Sequence, residues 1–317
     1  MQSHVVIGAS AVGIATANIL AGQGKDVILV TRSGTGPDHH KIQRVAADAT
    51  NADELSRIAE GSQTIYNCAS PPYNNWPKEW PPLGSAILFA AERTRAVLAT
   101  YSNLYGYGPV KGVMSEDTPL AATHPKLKVR ADLWRKALHL HQAGRIRMTE
   151  IRSSDHFQPN SMFSLALCKP LLEGKVVNSP IPLDVPRSWT SVNDAAKLLV
   201  RVAEDSNAWG KAWHVPTNDP VTARELVLRF AKVNGLNTPK LLRVPYPIIW
   251  SAGLFAPMVR ELRITMYQFN APFLIDSSAA KSAFSMEAES TDEALLDTAR
   301  LLRGKSINSM GKDTSIK

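Results

Sequence analysis

Short apolar runs alternate with helical patterns through the first half of the chain. Each run has the length of a buried strand, and the segments between the runs carry small or apolar residues on one helical face. Strands that alternate with helices are typical of βαβ units and a parallel sheet covered on both faces. The predicted strands are residues 5–7, 27–30, 42–47, 64–68, 95–100 and 146–151. The predicted helices are residues 11–21, 51–60, 83–93 and 126–143.

The second half of the chain has fewer such alternations and more prolines. We therefore predict that residues 1–157 form an α/β domain with a doubly wound parallel sheet, to which segments near 188–203 and 211–215 return. Residues 158–303 are predicted to build mostly a smaller lobe. The polar, aperiodic segment 304–317 is predicted to be a flexible tail.

Composition narrows the class of protein. The chain has 317 residues, 44% of them hydrophobic, and this is globular rather than disordered composition. The cysteines, Cys68 and Cys168, cannot build a disulfide framework, so a cytoplasmic protein is expected. The formal charge of +8 is scattered rather than clustered, and no apolar stretch is long enough to span a bilayer. We therefore expect no nucleic-acid partner, no membrane and, because the histidines lack an acidic cluster, no metal site.

The first predicted strand runs into Gly8-Ala9-Ser10-Ala11-Val12-Gly13, a G-x-G-x-x-G fingerprint with serine at the second glycine. The fingerprint requires a tight turn, a close approach of backbone to a pyrophosphate, and close packing of helix on strand. Gly8 supplies the turn and Gly13 the packing, whereas the Ser10 hydroxyl can donate to a phosphate or cap the helix. The predicted cofactor contacts in this turn are Gly8, Ser10, Ala11, Val12 and Gly13.

The end of the second predicted strand carries no acid, although an acid at this place normally accepts hydrogen bonds from the ribose of NAD. Arg32 and Ser33 stand there instead, and a guanidinium beside a hydroxyl suits a 2′-phosphate. The sequence therefore predicts NADPH (NADP) as cofactor. Asp48 follows the third strand and is predicted to approach the adenine, with a loop or helix-start role as the alternative. The small residues predicted to pass close to the cofactor after the fourth strand are Cys68, Ala69 and Ser70.

Segment 71–82 holds five of the 21 prolines together with three aromatic residues. Prolines stiffen a loop, and exposed tryptophans on a rigid loop suit stacking against a flat ligand. We predict that this loop forms one wall of a substrate pocket, with packing against the domain's own helices or a partner subunit as the alternative. A second aromatic cluster, formed by Tyr267, Phe269 and Phe273, is predicted either to close the other side of the substrate pocket or to pack in the hydrophobic core. The predicted substrate contacts are Tyr73, Trp76, Trp80 and Tyr267.

Several short segments follow the glycine turn in a consistent order. Leu104-Tyr105-Gly106 with Pro109 follows the fifth strand, and residues 152–159, 189–196 and 213–226 come later. These segments resemble the VYG, R-x-x-x-x-Y-G-P and hVdDvA motifs and a later strand and helix of the short-chain dehydrogenase/reductases. The resemblance covers residues 1–300 and points to the extended or atypical branch with NAD-dependent epimerase/dehydratase-like proteins. It implies an NAD(P)-binding Rossmann fold with a C-terminal substrate lobe.

The resemblance also implies a catalytic pair, a tyrosine and a lysine four residues later at the start of the long helix. That register falls on Lys126 and Arg130, and the helix contains no Tyr-x-x-x-Lys. The family's serine or threonine falls within residues 100–102, and counting back from Gly106 places it on Tyr101. We predict that Tyr101, or else Lys126, protonates the substrate and that Arg130 holds the nicotinamide ribose; alternatively, Tyr101 packs against the cofactor and Lys126 is solvated. The further implied residues are Thr100 (catalytic), Ser153 and Ser154 (cofactor) and His156 (substrate).

Three functions from different classes remain. The leading hypothesis is an NADPH-dependent oxidoreductase that reduces a small carbonyl-containing substrate, with an aromatic or polycyclic substrate as one candidate. The first alternative is a nucleotide-sugar epimerase or dehydratase with tightly bound NAD, which the missing Tyr-x-x-x-Lys and the missing acid weaken. The second is a non-catalytic NADP(H)-sensing or scaffold protein. A small-molecule substrate is the expected partner, and a homodimer is compatible with the sequence.

Overall fold

The computed structural model describes residues 3–310, apart from the side chains of residues 257, 258 and 305–310. The elements up to residue 153 are β1 (His4–Ile7), α1 (Ala11–Gly22), β2 (Val27–Thr31), β3 (Ile42–Ala46), α2 (Ala52–Ile58), β4 (Thr64–Asn67), α3 (Trp76–Thr94), β5 (Val97–Asn103), β6 (Val113–Met114), α4 (Pro125–Gln142) and β7 (Arg147–Ser153). The later elements are β8 (Asp155–His156), α5 (Lys169–Leu172), β9 (Val177–Ser179), β10 (Pro186–Arg187), β11 (Trp189–Thr190), α6 (Val192–Glu204), β12 (Ala212–His214), β13 (Val221–Thr222), α7 (Ala223–Val233), β14 (Leu241–Arg243), α8 (Tyr246–Phe255), α9 (Pro257–Thr265), α10 (Tyr267–Asn270), β15 (Leu274–Ile275), α11 (Ser278–Phe284) and α12 (Thr291–Met310).

The main sheet has seven parallel strands in the order β12-β7-β5-β4-β1-β2-β3. All of the predicted strands of the first half belong to it, so the predicted doubly wound parallel sheet is confirmed. Consecutive strand residues point to opposite faces, which explains the continuous apolar runs: Val6 packs on one face, and Val5 and Ile7 pack on the other. Helices α1 and α6 cover the first face, and α2, α3 and α4 cover the second.

The order of the strands places a crossing point between β1 and β4. The chain leaves β1 toward β2 and β3 on one side, and it continues from β4 toward β5 and β7 on the other. Helix α1 after β1 and helix α3 after β4 lie on opposite faces of the sheet. In doubly wound sheets, ligands bind in the crevice that such a switch point opens at the carboxyl ends of the strands.

The chain divides into two compact units. The first consists of the residues up to Ser153, Val192–Pro216 and Asp276–Met286, and the second of Ser154–Ser191, Thr217–Ile275 and the residues from Glu287 onward. The sequence placed the boundary at residue 157 and expected returns near 188–203 and 211–215. The sequence did not predict that Asp276–Met286 belongs to the first unit, where Phe284 of α11 packs against Trp213. A short helix has no local pattern that indicates which sheet it packs on.

The second unit has its own core, in which Phe163, Trp189 and Phe230 pack together. Helix α7 begins with a capping box, since the Thr222 hydroxyl accepts from the backbone of Glu225 and the Glu225 carboxylate accepts from Thr222. Part of the predicted tail, residues 304–310, is helical as the end of α12, and residues 311–317 lie outside the described residues. In the part of the chain that is described, no helix is both long and apolar enough to cross a membrane.

Candidate functional site

The turn after β1 has the geometry that a dinucleotide turn requires. Gly8 has a φ of +96°, and a Cβ added there would lie 2.7 Å from the Cα of Ala69. A Cβ on Gly13 would overlap the carbonyl oxygen of Gly8. Ser10 takes the capping role among its two predicted roles, because its hydroxyl accepts a hydrogen bond from the Gly13 backbone at 3.1 Å. The turn therefore holds the amino end of α1 tightly against the strand ends.

A cavity of about 690 Å³ opens at the carboxyl ends of β1, β2, β3 and β4, at the switch point of the sheet. The turn after β1, the segment after β2, the segment after β3 and the segment after β4 each contribute residues to it. Predicted cofactor contacts that line this cavity are Gly8, Ser10, Arg32, Ser33, Asp48, Ala69 and Ser70. The structure thus brings together residues from four separate segments of the chain.

Other predicted cofactor residues do not line this cavity. Ala11, Val12 and Gly13 form the first turn of α1, and Cys68 lies beneath that turn with no exposed surface. Burial raises the pKa of the Cys68 thiol to about 12, so the thiol stays protonated and packs as a small apolar group. These four residues therefore have a packing role at the start of α1 and do not face the cavity.

The cavity contains charges of both signs. Arg32 is exposed directly after β2, where no carboxylate stands, and Lys78 and Glu79 of α3 also line the cavity. Asp48 accepts hydrogen bonds from the backbone and hydroxyl of Thr50, which hold the pKa of its carboxyl below the usual value. Sequence reasoning missed Lys78 and Glu79, because it assigned their segment to a loop rather than to a helix with a defined inner face.

The prediction of a proline-stiffened loop over residues 71–82 is wrong in its second half. Helix α3 already begins at Trp76 and includes Pro81 and Pro82, and Trp76 and Trp80 are 4% and 0% exposed. Each internal proline removes one backbone hydrogen bond, but the spacing of the tryptophans places both of them on the buried face of the helix. The exposed stacking wall is therefore corrected to packing inside the first unit, the alternative stated for it.

Helix α4 places Lys126 and Arg130 one turn apart, and they are 2% and 6% exposed. The Lys126 ammonium lies 3.1 Å from the ring centre of Tyr73, and the Arg130 guanidinium lies 4.7 Å and 4.1 Å from the ring centres of Trp76 and Trp80. We call this set of five side chains the aromatic–cation stack. Neither cation lines the large cavity, and a solvated Lys126, the alternative stated for it, is wrong.

The stack joins two features that the sequence presented separately. Tyr73, Trp76 and Trp80 lie on consecutive turns, and the two cations lie on the facing helix with the spacing of one turn. Cation–π contacts of desolvated cations contribute up to about 2 kcal/mol each. The departure from Tyr-x-x-x-Lys and the aromatic segment are therefore parts of one arrangement.

Thr100 and Tyr101 are consecutive in β5 and point to opposite faces of the sheet. Thr100 lines a small cavity of about 30 Å³ together with Arg130 and Glu150, and this volume has room for about one water molecule. Tyr101 packs on the face that α1 and α6 cover, and its hydroxyl accepts from the Ser153 hydroxyl at 3.1 Å. Two residues that were each predicted to be catalytic therefore lie on opposite faces of the sheet.

Glu150 and Arg152 form a buried ion pair on β7, with 2.8 Å between Nε and Oε1. Burial raises the pKa of Glu150, which Arg152 opposes, and burial lowers the pKa of Arg130 to about 10. Arg152 also donates to the Tyr107 hydroxyl at 2.8 Å. Sequence reasoning assigned no role to Glu150 or Tyr107, because alternation along a strand does not reveal which polar side chains meet inside.

The remaining predicted site residues belong to the second unit. The Ser154 hydroxyl donates to the carbonyl of Ser188 at 2.8 Å, which links the chain near β8 to the chain near β11. His156 Nδ1 lies 3.2 Å from the carbonyl oxygen of Thr190, and burial lowers the pKa of the His156 imidazole. The Tyr267 ring packs edge-on against Phe273 with 6.5 Å between ring centres.

No protein-family model and no curated protein matches this chain. Solved structures do match over nearly the whole length. The chain is similar to dTDP-glucose 4,6-dehydratase from Bacillus anthracis in complex with NAD, with a TM-score of 0.78, 17% identity, and 97% of this chain and 98% of that chain covered. It is similar to UDP-glucuronic acid 4-epimerase from Bacillus cereus in complex with NAD, with a TM-score of 0.74, 16% identity, and 95% and 97% covered.

A third similar structure is UDP-glucose 4-epimerase from Thermotoga maritima with UDP-glucose, with a TM-score of 0.77, 13% identity, and 96% of this chain and 99% of that chain covered. At these identities the likeness establishes the fold, and the fold is that of dehydratases and epimerases of nucleotide sugars. The leading hypothesis, an NADPH-dependent reductase of a small carbonyl compound, is therefore wrong, because the matched enzymes are nucleotide-sugar dehydratases and epimerases, two of them with NAD. The chain has the fold of the NAD-dependent epimerases and dehydratases.

Proposed function

We propose that this protein is an enzyme that holds a nicotinamide dinucleotide and uses it to epimerise or dehydrate a nucleotide-linked sugar. The observation that carries the proposal is the large cavity at the switch point, built on the Gly8 turn, in a fold that matches nucleotide-sugar enzymes along almost its full length. Both reactions begin with a reversible oxidation of the sugar, so they need the cofactor without consuming it.

The residues present fit a dinucleotide. Gly8 and Gly13 let α1 pack directly against the strand ends, and the amino end of α1, whose dipole favours an anion, adjoins the Gly8 and Ser10 lining of the cavity. Arg32 and Lys78 line the same cavity beside Asp48 and Glu79, so the cavity offers two cations to an anionic ligand. When bound, the dinucleotide supplies a reversible acceptor for the hydride that leaves a sugar carbon.

The choice between the two dinucleotides rests on Arg32. With an arginine and a serine after β2, and no carboxylate there, the cavity has a donor for a 2′-phosphate and lacks the usual acceptor for a ribose hydroxyl. We propose that NADP(H) binds more tightly than NAD(H). The phosphate affects binding alone, so the proposed sugar chemistry is the same with either dinucleotide.

The deciding experiment is analysis of the purified protein, first for bound nucleotide and then for conversion of nucleotide sugars. Denatured protein is expected to release a nicotinamide dinucleotide, or the folded protein to bind one added to it. Incubation with UDP- and dTDP-linked hexoses is expected to give an epimer or a dehydrated sugar by nuclear magnetic resonance, without net change in nicotinamide absorbance. Nucleotide binding without conversion of any sugar would instead support the non-catalytic NADP(H)-sensing alternative.

A further inference from the structure

Two tyrosine hydroxyls meet where adjacent parallel strands end. Tyr73 follows β4 through a short connection, Tyr105 follows β5, and β4 and β5 are direct neighbours in the sheet. The two hydroxyl oxygens lie 3.0 Å apart, and both side chains are half-buried. The pair therefore lies at the carboxyl edge of the sheet, where ligands of this fold class bind.

A buried ammonium lies directly against one of these tyrosines. Lys126 Nζ is 3.1 Å from the ring centre of Tyr73 and 5.9 Å from that of Trp76. Trp76 is itself fixed by α3 and by a hydrogen bond from its indole nitrogen to the carbonyl of Pro71 at 3.1 Å. A cation held this close, with little solvent around it, favours the ionised form of a neighbouring phenol.

This arrangement restores, in a different order along the chain, the chemical combination of a phenol beside a fixed cation. Position 126 carries the cation where the resemblance implies a phenol, and the phenol comes from Tyr73 on the facing segment. The Tyr105 hydroxyl lies within hydrogen-bond distance of the Tyr73 hydroxyl and can donate to it when Tyr73 is ionised. Arg130, one turn further along α4, is held between Trp76 and Trp80.

We propose that Tyr73 is the acid–base residue of this protein, and that Lys126 and Tyr105 position and activate it. The inference rests on the proposed function and deepens it. In the oxidising step, the O–H proton of the sugar hydroxyl passes to the ionised Tyr73 oxygen, and the hydrogen of the adjoining C–H bond leaves with both bonding electrons to the dinucleotide. In the return step of an epimerisation, the hydride comes back to the same carbon and Tyr73 returns its proton to the oxygen, so the hydroxyl and the oxidised dinucleotide are regenerated.

The test measures the pH at which tyrosinate absorbance appears in the dinucleotide-free protein. A tyrosine in a free peptide ionises at a pH of about 10, and one tyrosine of this protein is expected to ionise at a lower pH. Burial raises the pKa values of Tyr66 and Tyr107, so those residues do not contribute to an early signal. Tyr73→Phe is expected to remove the early signal, and Lys126→Met to move it upward by about one pH unit or more.

Matched controls separate this effect from a general loss of structure. Tyr246→Phe removes an exposed tyrosine of α8, and Lys136→Met removes an exposed lysine of α4, and neither is expected to change the early signal. Lys126→Arg keeps a cation beside Tyr73 and is expected to retain the signal. An early signal that persists in Tyr73→Phe, or that is unchanged in a folded Lys126→Met protein, would overturn the inference.

Activity adds a second, independent measurement. With a nucleotide sugar that the wild type converts, Tyr73→Phe is expected to lower kcat by about 100-fold or more and to leave dinucleotide affinity within a few-fold. Conversion of sugar with an unaltered rate in Tyr73→Phe would overturn this inference while leaving the proposed function standing. An early tyrosinate signal in a protein that binds no dinucleotide would remove the proposed function and leave the phenol–cation pair established.

Discussion

The glycine turn and the aromatic–cation stack lie in the same unit, and they relate differently to the fold. The turn keeps the residues that its backbone geometry demands, since Gly8 and Gly13 have no space for a Cβ. The stack has Lys126 and Arg130 at the positions where the resemblance implies a tyrosine and a lysine, and both lie buried among aromatic rings. A site formed by backbone is constrained by sterics, whereas a site formed by side chains can be rebuilt when its neighbours change with it.

The largest expected effect breaks the stack without touching the turn. Trp80→Ala removes a fully buried indole between the Arg130 guanidinium and the core, and it is expected to lower the free energy of unfolding by about 3–5 kcal/mol. Urea unfolding measures the change. The exposed tryptophan of α8 is the control, and Trp250→Ala is expected to cost under about 1 kcal/mol. Equal losses in the two variants would contradict a structural role for the stack.

The reverse experiment breaks the turn and spares the stack. Gly8→Ala places a Cβ against Ala69 at a φ of +96°, so the turn must shift, and dinucleotide affinity is expected to fall by about 100-fold or more. Isothermal titration calorimetry measures the affinity. Gly22→Ala, at the end of α1 with open space around it, is the matched control and is expected to bind as the wild type does. If the Gly8→Ala protein bound the dinucleotide with wild-type affinity, the turn after β1 would not be part of the binding site.

A smaller effect sharpens the description of the large cavity. Arg32→Ala is expected to lower the affinity for NADPH by about 10- to 100-fold, because one charge-assisted contact is lost. The affinity for NADH is expected to stay within a few-fold of the wild-type value. The control is Arg44→Ala on β3, an exposed arginine that does not line the cavity. Equal losses for the two dinucleotides would show that Arg32 does not distinguish the phosphate.

The smallest expected effect concerns a buried histidine of the first unit. His214 Nδ1 is 2.8 Å from the carbonyl oxygen of Asp276, which can only accept, and Nε2 is 2.7 Å from the Tyr107 hydroxyl, to which Arg152 donates. This chain of donors fits a neutral imidazole. Burial lowers the pKa of His214 below 6.5, and the nearby Glu116 carboxylate opposes that shift.

A lowered histidine pKa fixes the sign of the pH dependence. Stability is fully present above the unfolded-state value of about 6.5, and it falls as the pH drops below that value, because the unfolded chain takes up the proton first. When the pH is lowered from 7.5 to 5.5, the contribution of His214 to the unfolding free energy is expected to fall by less than about 1.4 kcal/mol per pH unit. The fall is expected to shrink in His214→Asn and to persist in His139→Asn, an exposed histidine of α4. A steeper fall in His214→Asn would contradict the neutral assignment.

Much of the fold was predictable because it depends on local pattern. Apolar runs such as Val5–Val6–Ile7 identify strands buried on both faces, and Ser10 with Gly13 identifies the start of α1. The part of the cavity lining that follows the strands, from Gly8 to Ser70, was predictable because in a parallel sheet the carboxyl ends of the strands meet at one edge, whereas Lys78 and Glu79 on α3 were missed. The substrate chemistry was not predictable in this way, and the reductase hypothesis failed, since substrate choice depends on side chains from many segments.

The sequence by itself determined the alternation of strands and helices in the first half, the glycine turn and the absence of a carboxylate directly after β2, because each depends on residues adjacent in the chain. Only the tertiary structure decided that Lys126 lies against Tyr73 and that Arg130 lies against Trp76 and Trp80. These pairings join residues tens of positions apart. Burial and desolvation act on whichever groups the fold brings together, and no local pattern encodes that choice.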